Sequence, residues 1–318
     1  MRDRTKAETL IANPEDAMTQ SKSLPDHALC LRTYAELREY TRAFAQGHLN
    51  LLILCGPPGV GKSRSLRAAV GNNVCWIDGN ASAFGIYQEA YLCLNQPIVL
   101  DDVDGLYRDR NGIRLLKTLC QTERVKSISW HTDAPTLENR CIPRQFTTTS
   151  RMAFIANQWQ SLSPDVAALE DRGHVLIFEP TALEVHRQAA TWFWDQEIFD
   201  FLGRWLHLLK QPSFRTYVQG FELKTAGLDW QTGMLGRCLA GTALVVARLK
   251  ANPCYASEEA RARAFVHSGA GCRATYFSHA KKLQSRETIP DISLVTTKPL
   301  IEVHEEILHA TPRVRASA

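Results

Sequence analysis

Short runs of consecutive apolar residues, separated by stretches with helical spacing, organise the first 180 positions. The runs are 51–55 (LLILC), 73–78 (NVCWID), 97–101 (PIVLD), 152–157 (MAFIAN) and 174–178 (HVLIF). Runs of this length, apolar at successive positions, suit strands covered on both faces, and helical patterns between them predict a parallel sheet with a helical layer on each side. Ahead of the first run, Leu31, Tyr34, Leu37, Tyr40 and Phe44 recur at helical period and predict a helix from about Leu31 to Gln46. A further run, Ser127–His131, followed by a proline-containing loop up to Phe146, predicts a hairpin inserted before the strand at Met152. After Pro180 the strand pattern stops. Residues 181–210 and 212–225 read as helices, and the region 229–286 as three more, at about 235–250, 257–267 and 272–285. The predicted division is therefore a polar flexible arm (1–25), an α/β domain (26–180), a helical lid (181–228), a second helical domain (229–288) and a tail without clear period (289–318).

Between the first apolar run and the next helix lies Gly56-Pro57-Pro58-Gly59-Val60-Gly61-Lys62-Ser63, the G-x-x-x-x-G-K-[ST] phosphate-binding loop in its required place after a strand. Glycines at 56, 59 and 61 allow the tight bends that bring successive backbone N–H groups onto phosphate oxygens. Lys62 then reaches the β- and γ-phosphates, the Ser63 hydroxyl suits Mg²⁺, and the helix that continues through Arg64 adds the positive end of its dipole. The loop and its flanks predict binding of a nucleoside triphosphate. The alternative is a glycine-rich turn with no ligand.

Composition narrows the class only slightly. Apolar content of 45% and charged content of 22% are ordinary for a water-soluble globular protein, and a net charge of +4 is too small to argue for nucleic acid from the total. Nine cysteines, an odd number without a C-x-x-C pair, read as buried thiols in a reducing compartment, with neither disulfides nor zinc ligands. The longest apolar stretch, around Leu239–Ala247, is too short to span a bilayer, and the opening residues lack a signal-peptide core. The expected location is the cytoplasm, with no membrane partner.

Ile98-Val99-Leu100-Asp101-Asp102 ends an apolar strand with two acids. In a phosphate-loop protein the first, Asp101, holds Mg²⁺ with Ser63, and the second, Asp102, orients or deprotonates the attacking water. Asp104 is a rival for the second role, and a merely solvated acidic turn is the bland reading.

With these motifs in place the chain resembles ATPases of the AAA+ class over roughly residues 30–228. The resemblance implies Mg-ATP as cofactor and a five-stranded parallel sheet in the order 5-1-4-3-2. Asp102 stands where that class commonly has glutamate. Phe154-Ile155-Ala156-Asn157 is similar to the sensor-1 strand, with Asn157 positioning water near the γ-phosphate. Ala168-Leu169-Glu170-Asp171-Arg172-Gly173 is similar to the segment bearing the arginine finger, so that Arg172 would reach a neighbouring subunit's nucleotide; the alternative is a local ion pair with Asp171 or Glu170. Pro212-Ser213-Phe214-Arg215 is similar to the sensor-2 position of the lid, with Ser213 as N-cap and Arg215 facing the γ-phosphate, against the alternative of an exposed helical arginine. The resemblance implies a homo-oligomer, a ring or helix and typically a hexamer.

The C-terminal region supplies a candidate partner. His267-Ser268-Gly269-Ala270-Gly271 separates two predicted helices, and the run from Cys272 to Leu283 is similar to recognition helices of bacterial helix-turn-helix modules. In this reading Ala274, Phe277 and Leu283 pack inward, whereas Arg273, Thr275, Tyr276, Ser278, His279, Lys281 and Lys282 are available to DNA. Residues 229–286 hold nine Lys/Arg against three acids, a local excess of six. That is an electrostatic footprint for nucleic acid, or else a solvated basic face of a protein-interaction domain. The leading functional expectation is an oligomeric ATPase acting on DNA, in replication initiation or loading or in transposition of a mobile element. Two alternatives are an ATP-dependent regulatory switch with little turnover, motivated by Asp102, and a protein remodeller, motivated by Phe84-Gly85 where such rings carry a pore loop. The inserted hairpin, with Trp130, Arg140 and Arg144, is either a packing element or a DNA contact.

Overall fold

The computed structural model describes residues 24–284 apart from 104–105, 107–108, 133–134, 159–166, 207–208 and 210–212. The arm up to residue 23, the whole tail, Asp104, Pro212 and Arg286 lie outside the described residues. The α/β part runs β1 (Leu29–Leu31), α1 (Tyr34–Gln46), β2 (Leu51–Cys55), α2 (Lys62–Val70), β3 (Cys75–Asp78), α3 (Ala83–Leu92), β4 (Ile98–Asp101) and α4 (Arg110–Leu119). It continues through β5 (Lys126–Ser129), α5 (Pro135–Asn139), β6 (Gln145–Thr148), β7 (Met152–Ala156), α6 (Ala167–Glu170) and β8 (His174–Phe178). Six strands form one parallel sheet in the order β1-β8-β2-β7-β4-β3. The five strands read from the sequence are ordered 5-1-4-3-2 within it. Among the described residues the sheet has six strands, one more than the sequence predicts, because Leu29–Leu31 pairs with Leu176–Phe178 instead of starting the first helix. That helix begins at Tyr34, where Thr33 and Glu36 close a capping box.

Successive strand residues face opposite layers. Leu51, Ile53, Ile98, Leu100, Met152, Phe154 and Val175 join one buried cluster with residues of α3, α4 and the hairpin. Their neighbours Leu52, Leu54, Val99, Ala153, Ile155 and Leu176 join the other, with residues of α1 and α2. Continuous apolar runs are thus what a two-sided sheet requires. The predicted hairpin forms as the antiparallel pair β5–β6, outside the main sheet. Its Trp130 and Phe146 pack against Phe84, Tyr87 and Tyr91 of α3. Phe84 and Gly85 therefore sit in the first turn of a packed helix, with Gly85 N–H donating to the Ser82 hydroxyl, and do not form a pore loop.

The helical part comprises α7 (Ala182–Ala189), α8 (Gln196–Trp205), α9 (Phe214–Thr225), α10 (Trp230–Cys238), α11 (Gly241–Ala251), α12 (Glu258–His267) and α13 (Arg273–Gln284). The helix expected over 235–250 is two helices, broken at Leu239 and Ala240, both of extended backbone. One buried cluster runs from Ala189 through Phe199, Tyr217, Trp230, Val246 and Phe265 to Tyr276 and Leu283. The core accordingly shows no break at the expected boundary between residues 228 and 229.

His186 lies inside this helical layer, stacked on Phe199 with ring centroids 3.8 Å apart, its Nδ1 2.8 Å from the Tyr217 hydroxyl. Burial pushes its pKa down to about 4. The ring is therefore neutral when folded, while in the unfolded chain it gains a proton below its ordinary pKa of about 6.5. Stability is full above that value and falls as pH drops towards 4, by up to about 3 kcal/mol. Thermal unfolding across this range should show the loss in the wild type, and a flatter profile in His186→Gln.

Candidate nucleotide-binding site

The strand register builds the site. Cys55 pairs with Ala156, and Asp101 with Ile155, so the carboxyl ends of β2, β4 and β7 finish side by side. The segments leaving these three strand ends must then converge: the loop Gly56–Ser63, the pair Asp101-Asp102, and Asn157. Gly56 N–H donates to Ala156 O (3.3 Å) and Asp102 N–H to Ile155 O (3.1 Å), which fix the first residue of each turn. Gly56, Gly59 and Gly61 have φ of 157°, 77° and 80°, and the latter two lie in the left-handed region that glycine tolerates.

Lys62 is buried and its ammonium donates to Gly56 O (2.7 Å), Pro57 O (2.9 Å) and Asn157 Oδ1 (3.2 Å). Burial lowers its pKa, opposed by Asp102 and Asp101. Asn157 Nδ2 in turn donates to Asp102 Oδ1 at 3.0 Å, making a Lys62–Asn157–Asp102 chain. Asp102 is exposed and holds φ of 54°, a strained conformation of the kind found at functional sites. Burial pushes the Asp101 carboxyl up, against a hydrogen bond from the Ser63 hydroxyl that lowers it. A half-buried carboxylate beside a hydroxyl, in a cleft with a buried ammonium, has the donor chemistry for a hard divalent cation on a phosphate chain. Asp101 and Ser63 therefore fit Mg²⁺.

The start of α9 lies directly on the loop. Ser213 caps α9 by accepting from Arg215 N–H, and Phe214 N–H donates to Gly59 O at 2.8 Å. A Cβ on Gly59 would collide with the Ser213 side chain, and one on Gly61 with the Phe214 ring. Phe214 packs against Tyr34 (5.9 Å) and Trp192 (5.4 Å), and the Tyr34 hydroxyl donates to Val60 O at 2.8 Å. Arg64 stacks over Trp192 at 4.9 Å. Gly59, Gly61, Lys62, Ser63, Arg64, Asp101, Asp102, Ile155, Asn157 and Arg215 line one cleft of about 170 Å³. Tyr34 and Trp192 carry no motif in the sequence; only their apolar character marks them, and that is shared with every core residue. Gly61→Ala should combine left-handed strain with the Phe214 collision. It should loosen the lid, read as lost nucleotide affinity and a lower unfolding temperature.

The fold fits that of P-loop NTPases. Its parallel sheet, its loop between strand and helix, and Asp101 on the adjoining strand but one are the parts of that fold. No family model matches the chain. It is 28% identical over 149 residues to a protein of Enterobacteria phage T4 described as an uncharacterized 36.7 kDa protein in the nrdC-mobD intergenic region. That match takes in 42% of the chain and 46% of the phage protein, so the chain spans about half the length of that relative. Among solved structures it is similar to two point-mutant forms of Thermotoga maritima RuvB, each at 10% identity and a TM-score of 0.40. These cover 77% and 78% of the chain and 85% of either RuvB chain.

The remaining predicted residues lie elsewhere. Arg172, half-buried, donates to Lys117 O at 2.6 Å; it precedes β8, at the strand end opposite the cleft. In the C-terminal helices Tyr276 is fully buried, its ring against Phe265 and its hydroxyl donating to Glu258 at 2.7 Å. It is therefore not available to DNA. The inward face of α13 is Tyr276, Ala280 and Leu283, whereas Ala274 is exposed and Phe277 is 39% exposed. Arg273 pairs with Glu259 (2.7 Å), and Lys250 and Arg261 pair with Glu258. Thr275 and His279 are half-buried, and Ser278, Lys281 and Lys282 are exposed. Among the described residues no helix is long and apolar enough to cross a membrane.

Proposed function

We propose that the chain is an ATPase of the AAA+ class that binds Mg-ATP between copies of itself and acts on DNA. The observation that carries this reading is the convergence of Arg215, from the helical lid, with Lys62, Asp101, Asp102 and Asn157 around one cleft. An arginine brought by a second structural unit onto the lysine and acids of a phosphate loop lets the lid respond to the γ-phosphate. Loop amides and Lys62 hold the phosphates. Ser63 and Asp101 hold Mg²⁺, which supplies charge neutralisation on the phosphate oxygens. Asp102, oriented by Asn157, accepts the proton of the attacking water. Arg172, directed away from its own cleft, serves the nucleotide of a neighbour in a ring or helical oligomer. The α11–α13 unit tethers the assembly to DNA through the face of α13 that carries Arg273, Ser278, Lys281 and Lys282, with the exposed Phe277 between them. The ion pairs of Arg273, Lys250 and Arg261 reduce the cationic excess on offer, so the DNA contact is salt-sensitive and modest.

The test is ATP-dependent assembly followed by light scattering, together with retention on duplex DNA at rising salt. Assembly with ATP and retention that falls with salt support the proposal; monomers that ignore both nucleotide and DNA reject it. Asp102→Asn should lower turnover by about 10² to 10⁴-fold while ATP still binds. A switch with slow turnover is the second reading, favoured by the short Asp102 side chain already engaged by Asn157. A large gain of turnover in Asp102→Glu would select it.

A further inference from the structure

Cys75, Glu89 and Cys93 come together on the far side of the sheet from the lid-covered loop, at the start of edge strand β3 and the end of α3. Their ligand atoms all lie within 4.8 Å of one another, and the two thiols are within hydrogen-bonding reach. A tetrahedral zinc site with Zn–S of about 2.3 Å places its sulfurs about 3.8 Å apart, so the three groups need only small adjustments to share one ion. We infer that Cys75, Glu89 and Cys93 form a binding site for a soft-to-borderline divalent cation of the Zn²⁺ class.

The backbone around the site is already fixed. Cys75 N–H donates to Pro97 O (2.8 Å), Cys93 N–H to Glu89 O (2.9 Å), and Gln96 N–H to Cys93 O (3.0 Å). Glu89 and Cys93 are four residues apart across the last turn of α3, hence on one face, and that face is turned to Cys75. Two sulfurs alone would equally suit a disulfide. The carboxylate converging on the same point is what a disulfide does not need and a cation does. Access is graded as a loadable site requires: Cys75 is buried, Cys93 half-buried and Glu89 exposed. Two thiolates select Zn²⁺ or Cd²⁺ over Mg²⁺, so the site does not compete for the ion that Ser63 and Asp101 suit. Three protein donors leave one position for water, which makes the ion exchangeable. Bound there, it ties α3 to β3 and so braces the helix on which the hairpin packs through Tyr87.

The test uses the full chain with the exposed Cys30, Cys141, Cys254 and Cys272 replaced by serine, kept reduced by a phosphine. Co²⁺ is titrated and the thiolate charge-transfer absorption followed, with Zn²⁺ then added as competitor. One equivalent should bind with a thiolate band that Zn²⁺ abolishes, releasing protons as the thiols ionise. Cys93→Ser should remove the band, Cys75→Ser likewise, and Glu89→Gln should weaken binding at least about tenfold while keeping a band. Cys93 is only half-buried, so its variant should stay folded, which retained ATP binding checks. No band in the parent protein, or a band indifferent to Cys93→Ser, would overturn the site.

Discussion

On the proposed function, replacing Arg172 with alanine should lower ATP turnover by about a thousandfold or more, the scale of an arginine finger, with ATP affinity nearly unchanged. His174 pairs with Leu52, so Arg172 stands roughly 16 Å along the strand direction from the level of Cys55, where the loop begins. It cannot serve its own cleft and must act across a subunit boundary if it acts on nucleotide at all. Its present bond to Lys117 O closes the end of α4, and a single such bond to a charged donor contributes about 1.5 to 3 kcal/mol. Reaching a neighbour's nucleotide exchanges that bond for a phosphate. Mixing provides the check. Arg172→Ala protomers keep an intact loop, and Lys62→Ala protomers keep an intact finger, so mixed assemblies should regain turnover that neither has alone. If Arg172 only braces α4, its variant loses turnover together with unfolding temperature, and mixing restores nothing.

Lys62→Ala should abolish measurable ATP binding, at least about a hundredfold weaker, without destabilising the fold. The Lys62 ammonium is held by two carbonyls and an amide oxygen, with no direct carboxylate contact among the described residues, and burial already lowers its pKa. Such an arrangement costs desolvation energy that only a phosphate chain repays fully. Calorimetric unfolding should show an unchanged or raised midpoint for the variant without nucleotide. With ATP at about a hundred times its dissociation constant the wild type gains about 2.7 kcal/mol, and the variant gains nothing. A drop in the variant's own stability would instead make Lys62 a structural residue.

The α/β part is legible in the sequence because its signals are local. Strands buried on both faces must be apolar at every position, so LLILC or MAFIA announces itself, and eight contiguous residues spell the phosphate loop. Leu29–Leu31 is hidden because Leu31 also fits the helical period of Tyr34, Leu37 and Phe44; only pairing with β8 decides its backbone. In α13 the error is one of phase. Ala274 and Phe277 fit an inward stripe as well as Tyr276 and Ala280 do, and the packing of Phe265 on Tyr276 breaks the tie. The nine cysteines read as buried, yet Cys30, Cys141, Cys254 and Cys272 are exposed, since solvent exposure depends on which surface covers each thiol.

By itself the sequence determined that a phosphate loop succeeds a buried strand, that acids end a second strand, and that helices follow Pro180 as far as about residue 286. These depend on the chemistry of neighbours along the chain. The tertiary structure decided what distant segments do to one another. It set Phe214 on Gly59 and Gly61, placed Arg215 over the cleft, turned Arg172 away from it, withdrew Tyr276 into the core and brought Cys75 to Glu89 and Cys93. None of these can be read from spacing, because sheet register and helix packing, summed over many weak contacts, fix where a side chain far along the chain arrives.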